Sequence, residues 1–311
     1  MVAIFLKTLP FFMLIGLGYW AGRVRFFSEE ATAYLTKFVF YFALSAMIFR
    51  FASNLEFNAV WNQQLAAAYL WGTAFVYGIA AFVGFLRKLD VATNAVESQC
   101  AVIGNVGFLG IPMLALLLGD AIIAPLILIL AIDLIVFSSL IVILITVSRQ
   151  GRMSLGILKT IPLGLIKNPM IMAMALGLIW SSTGLAIPAP IDEFLSILGA
   201  AATPGALFAI GASLASKSTE RLSIALWLTF LKLGVHPLFV GFAVLYLFPT
   251  DPFSAGVAIA CAAMPVAGNI FILAQHYGVA PQRVSAAILV STLISIVTLT
   301  AVVAWVQTMV S

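Results

Sequence analysis

An asparagine among four small or helix-breaking neighbours is the first chemical signal in this chain. Gly104, Asn105, Gly107, Gly110 and Pro112 fall within nine residues of an otherwise apolar stretch. Proline lacks the N–H that a helix needs and glycine tolerates positive φ, so the spacing predicts a helix that unwinds partway. A second stretch, Ala260 to Gly278, repeats the pattern with Pro265, Gly268 and Asn269. Each asparagine carries both a donor and an acceptor. Two roles are open to it: repair of freed backbone, or direct contact with a solute.

Charge inside apolar sequence is the second signal, because an ionisable group at a membrane-helix centre costs about 2.5 to 3.5 kcal/mol on insertion scales. Asp133, in ILAIDLIVFSS, is the deepest acid. It either binds a coupling proton or cation, or pairs with a buried lysine. Lys232 and His236 stand at i and i+4 and so share one helix face. That face suits an anion, and its alternatives are pairing with Asp133 or capping of broken backbone. Glu97, seven residues before Gly104, reads as a solvated or helix-N-terminal acid, with a charge role at the site as the alternative. Lys37 reads as a snorkelling side chain.

Cofactor and metal chemistry are not expected. Cys100 and Cys261 are too far apart for a ligand motif and read as small buried thiols. The nucleophile motif G-x-S-x-G, the zinc motif H-E-x-x-H and the nucleotide loop G-x-x-x-x-G-K-[ST] are absent, which argues against an intramembrane enzyme and a primary pump. A channel would want a filter repeated about an axis, and the chain offers none alone.

The elements that must position these residues follow from composition. Of 311 residues, 63% are hydrophobic and 8% charged, and the mean hydropathy is +1.17. That is an all-α polytopic membrane protein, with scattered basic residues that give no nucleic-acid patch. Apolar runs predict ten transmembrane spans: Ala3 to Gly22, Ala31 to Ala52, Trp61 to Leu86, Val91 to Leu118, Ala121 to Val147, Asn168 to Thr183, Pro190 to Ala215, Arg221 to Phe248, Pro252 to Tyr277 and Gln282 to Thr308. The first reads as a retained helix, since it lacks a basic start and a small-residue cleavage site. A basic linker, 148–167, divides the spans into halves, 1–147 and 168–311.

Eleven basic residues fall in alternate loops: Arg23, Arg25, Arg87, Lys88, Arg149, Arg152, Lys159, Lys167, Lys217, Arg221 and Arg283. The opposite loops hold only Arg50. The positive-inside rule then puts both termini on the extracytoplasmic face. Five spans per half make the second half enter the membrane inverted relative to the first. Pro10, Gly18 and Gly119 match Pro169, Gly177 and Gly278 at one common offset, a weak sign of an inverted repeat. Paired breaks in matching spans mark transport sites, and half-helix N-terminal ends at the midplane favour an anion. The C-terminal ends are equally available to a cation such as Na⁺.

GNVGFLGIP (Gly104 to Pro112), MPVAGNIFILAQHYG (Met264 to Gly278) and ALFAIGASLA (Ala206 to Ala215) resemble motifs of the auxin efflux carrier family, which includes plant PIN proteins and bacterial malonate-transporter-like members. The bacterial type is the nearer likeness, because the long hydrophilic loop of many PIN proteins is missing. The resemblance implies two inverted five-helix repeats with broken, crossing helices four and nine, an architecture related to sodium/proton antiporters and bile-acid symporters. It implies a scaffold of spans one, two, six and seven, and an elevator-like transport domain of spans three to five and eight to ten. By motif matching, Asn105 and Pro112 carry one crossover and Pro265 and Asn269 the other. The function expected is secondary transport of small organic anions, with H⁺ or Na⁺ as candidate coupling ions and a cation/proton antiporter or Na⁺ symporter as the alternative. A bacterial inner membrane is the expected location, and a homodimer through scaffold helices the expected assembly.

Overall fold

A computed structural model describes residues 2–55, 60–150, 165–215 and 222–310. Among these every regular element is helical, apart from one isolated antiparallel bridge between Gly104 and Val266. Helix α1 covers Val2–Arg23, α2 Glu29–Ser53 and α3 Gln63–Leu86. The fourth predicted span is two helices, α4 (Val91–Val102) and α5 (Val106–Leu118), followed by α6 (Asp120–Arg149). Then come α7 (Pro169–Ser182), α8 (Ala189–Leu214) and α9 (Leu222–Leu247). The ninth span is again divided, into α10 (Pro252–Ala262) and α11 (Gly268–His276), and α12 runs over Pro281–Met309. Among the described residues, six helices, α2, α3, α6, α8, α9 and α12, are long and apolar enough to cross a bilayer, so the protein is a polytopic membrane protein. Most of the predicted linker 148–167, including Arg152 and Lys159, lies outside the described residues, as do Lys217 and Arg221.

Short polar side chains set where the helices begin. Ser28 accepts from the Ala31 N–H (3.1 Å), Asn62 from Leu65 (2.9 Å) and Asn168 from Met170 (3.0 Å). Asp90 and Asp251 do the same for α4 and α10, accepting from Thr93 (2.9 Å) and Ser254 (2.8 Å). Each fills a first-turn donor that the helix leaves unpaired. The Thr93 N–H holds the Asp90 carboxyl below the usual carboxylate range. At the far ends of the broken spans, Gly119 follows α5 at φ +84° and Gly278 follows α11 at φ +60°, where a side chain would strain the backbone.

The helices pack in two groups. In the first, α1 lies along α8, α7 along α2, and α8 against α2. Backbones touch there: a Cβ on Gly18 would stand 2.1 Å from the Phe208 carbonyl oxygen, and one on Gly177 would stand 2.7 Å from the Ala52 Cβ. In the second group α4 and α10 occupy the centre, within α3, α6, α9 and α12. Residues 95–102 of α4 and 255–262 of α10 are all buried. Many are Ala, Gly, Ser or Cys, small enough for the surrounding helices to approach. The groups meet where α5 touches α8, α12 touches α1 and α6 touches α2.

Candidate functional site

Two helices that stop inside the protein leave carbonyls and N–H groups that must find partners. At this site they find each other. The Asn105 N–H donates to the Pro265 carbonyl at 2.8 Å, and the Ala267 N–H donates to the Ile103 carbonyl at 3.1 Å. Gly104 and Val266 face one another between these bonds. The Val266 N–H turns outward and donates to Ser291 Oγ of α12 at 3.1 Å. The Asn105 carbonyl accepts from Leu109 and Gly110, both at 3.0 Å, and so starts α5 with a π turn over Val106–Gly110.

Backbone pairing bears on the first of the two roles left open to the asparagines. Repair of the break is done by main chain and Ser291, and the Asn105 side chain makes no capping bond. Asn269, second in α11, has a buried Oδ1 with no hydrogen-bond partner among the described residues. Of the two readings of the glycines, positive φ and close packing, the second applies to Gly104 and Gly107. Gly104, Gly107, Gly110 and Gly268 are not among the described residues with positive φ, so unwinding does not depend on left-handed backbone. Gly104 and Gly107 instead supply room. A Cβ on Gly104 would meet the Cys261 carbonyl oxygen at 3.0 Å and Lys232 Nζ at 3.3 Å, and one on Gly107 would meet Met170 Cε at 2.7 Å. Pro265 lies in the extended segment, and Pro112 in α5 just beyond the π turn.

A cavity of about 30 Å³ sits against the crossover, lined by Asn105, Asn269, Gly104, Asp133, Phe40 and Met170 among others. Such a volume admits water and not an organic acid. Two of its walls come from the first packing group: Phe40 of α2, stacked on Phe108 at 6.3 Å, and Met170 of α7.

Behind the crossover runs a buried polar chain. Asp133, 2% exposed, opens a π turn in α6, and both carboxylate oxygens face the Tyr69 hydroxyl at 3.1 and 3.3 Å. Lys232, wholly buried, sits in a second π turn, Leu231–Val235 of α9. Its ammonium donates to the Ala262 carbonyl and lies 3.1 Å from His236 Nδ1, while His236 Nε2 lies 3.0 Å from Thr73 Oγ1. π turns recur at functional sites because they redirect side chains out of helical register. Of the alternatives open to them, a direct Lys232–Asp133 ion pair is not formed, and each group has its own partners.

Glu97 departs from its expected solvated setting. It is 3% exposed and held between Arg87 at the end of α3 and Arg283 at the start of α12. It therefore ties α3, α4 and α12 together and does not line the cavity. Arg149 likewise donates to the Tyr277 carbonyl at the end of α11.

Tyr69, Thr73, Ser291, Phe40 and Met170 were not singled out from sequence. Tyr69 and Thr73 carried a usable signal, a polar pair at i and i+4 in apolar α3, the same spacing as Lys232 and His236. The other three carry none beyond their type.

A family model described as "Membrane transport protein" matches residues 3–303. The chain is 29% identical over 300 residues to a Rhizobium meliloti (strain 1021) protein named "Putative malonate transporter", covering 94% of this chain and 92% of that one. It is 27% identical over 308 residues to the Escherichia coli (strain K12) protein named "Uncharacterized transporter YfdV", with 93% of each covered.

Proposed function

The chain belongs to the membrane transport protein family, and we propose that it is a secondary carrier of small organic anions in a bacterial inner membrane. One observation carries the reading. The N-terminal ends of α5 and α11 and the side chains of Asn105 and Asn269 converge on a single cavity within apolar packing. Half-helix N-terminal ends favour negative charge, and carboxamides turned nitrogen-first donate to a carboxylate. Malonate and related carboxylates are the substrate class, the former suggested by the name of one relative.

The proposed architecture is ten spans in two inverted repeats, with α1, α2, α7 and α8 as scaffold and the other helices as an elevator-like transport domain. The two packing groups support that division. The repeat is supported by three correspondences: α1 on α8 against α7 on α2, the caps Asp90 and Asp251, and the left-handed glycines Gly119 and Gly278. Phe40 and Met170 belong to the proposed scaffold, so a solute reaches the crossover when the transport domain moves away from them. Both termini would be extracytoplasmic, and two copies would pair through scaffold helices.

Asp133 on the cavity wall favours a second reading, coupling to H⁺ or Na⁺, as in an antiporter or symporter of related architecture. Thermal unfolding of the purified protein with malonate, succinate, acetate or indole-3-acetate tests the main reading. Stabilisation by at least one acid, lost in Asn105→Ala, is expected; stabilisation by none of them opposes it.

A further inference from the structure

We infer that Lys232 is a resident cation: its ammonium occupies the place at the C-terminal end of α10 where a coupling Na⁺ would bind, so transport proceeds without Na⁺. The inference rests on the crossover being the transport site.

A helix that ends inside a protein presents carbonyl oxygens and roughly half a negative charge, the environment in which broken transporter helices hold Na⁺. At the end of α10 the Ile259 carbonyl is taken by the Ala263 N–H and the Cys261 carbonyl by the Met264 N–H. The Ala262 carbonyl receives Lys232 Nζ. A lysine ammonium has three donors and no acceptor, so His236 Nδ1 must accept, which leaves the proton on Nε2 to be donated to Thr73 Oγ1. The ammonium is thus fixed from α9, α10 and, through His236, α3.

Space and charge agree. Gly104 has no side chain where a Cβ would come 3.3 Å from Nζ, so the cation reaches the crossover backbone itself. Among the described residues, the ionisable groups around it are Asp133 of α6, Tyr69 of α3, His236 of α9 and Cys261 of α10, all buried or nearly so. Asp133 is the one acid among them, and the Lys232 ammonium already supplies one positive charge near it without a direct ion pair. A Na⁺ added there would place a second positive charge in a wholly buried pocket, at a desolvation cost with no second acid among the described residues to offset it.

Thermal unfolding and counterflow of labelled malonate, each in Na⁺ or choline at equal ionic strength, test this. The wild type should unfold at the same temperature and exchange at the same rate in both salts. Lys232→Ser, which vacates the place and leaves hydroxyl and carbonyl oxygens, should gain a Na⁺-dependent rise of about 2 °C or more. Lys232→Arg, which keeps a cation, should stay insensitive. A wild type stabilised by Na⁺ or dependent on it overturns the inference, as does a Lys232→Ser variant blind to Na⁺. Absence of malonate exchange in either salt counts against the carrier reading instead, while the unfolding arm still decides the role of Lys232.

Discussion

The Asn105 N–H donates to the Pro265 carbonyl at 2.8 Å, joining the break in one half of the chain to the break in the other. This bond and its companion from Ala267 to Ile103 give main-chain groups at the two helix ends partners inside the protein. They also leave the carboxamides of Asn105 and Asn269 on the cavity wall.

Gly104→Ala should be costly where Gly268→Ala is not. A Cβ at Gly104 would press on the Cys261 carbonyl and Lys232 Nζ, whereas at Gly268 nothing lies within 4 Å. Overpacking of this kind costs about 1 to 3 kcal/mol. Unfolding midpoints of the two variants check it, and equal midpoints would show that the close approach is not needed.

Ser291→Ala removes the partner of the Val266 N–H, a donor in fully buried surroundings. An unsatisfied buried donor costs about 1 to 3 kcal/mol. Lower stability is expected, with partial recovery in Ser291→Thr, and the same unfolding assay reads both.

Glu97→Gln leaves Arg87 and Arg283 facing a neutral group. Buried pairs broken on one side lose about 3 to 5 kcal/mol, and the loss here should fall below that range because the Arg87 side chain is 31% exposed. The expected signature is a lowered unfolding temperature with substrate KM unchanged. A raised KM at unchanged stability would mean that Glu97 belongs to the site.

Asp90 supplies a pH dependence. Its folded carboxyl is held below the usual range by the Thr93 N–H, so its contribution is full above the ordinary value of about 3.9 and is lost as pH falls through the lowered one. Asp90→Ala should cost about 1 kcal/mol at neutral pH and show a smaller loss of stability on acidification than the wild type. Unfolding midpoints across the acidic range measure both.

The helix ends and both breaks were legible in sequence because apolar runs and Gly, Pro and Asn report local backbone preference. The extent of α6, for example, falls about two residues from expectation at its C-terminal end. What each break requires was not legible. Glycine type alone does not separate a need for positive φ, as at Gly119 and Gly278, from a need for room, as at Gly104. Glu97 read as solvated because its partners Arg87 and Arg283 come from other helices. Tyr69 and Ser291 acquire meaning only through contacts that packing creates with Asp133 and Val266.

Counterflow of labelled malonate into proteoliposomes carrying wild type, Asn105→Ala or Asn269→Ala tests the central claim most directly. Loss of a hydrogen bond to a charged solute is worth about 1.5 to 3 kcal/mol, so exchange should fall about 10- to 100-fold in each variant while the unfolding temperature is kept. Exchange at the wild-type rate in both variants would contradict an anion site at the crossover.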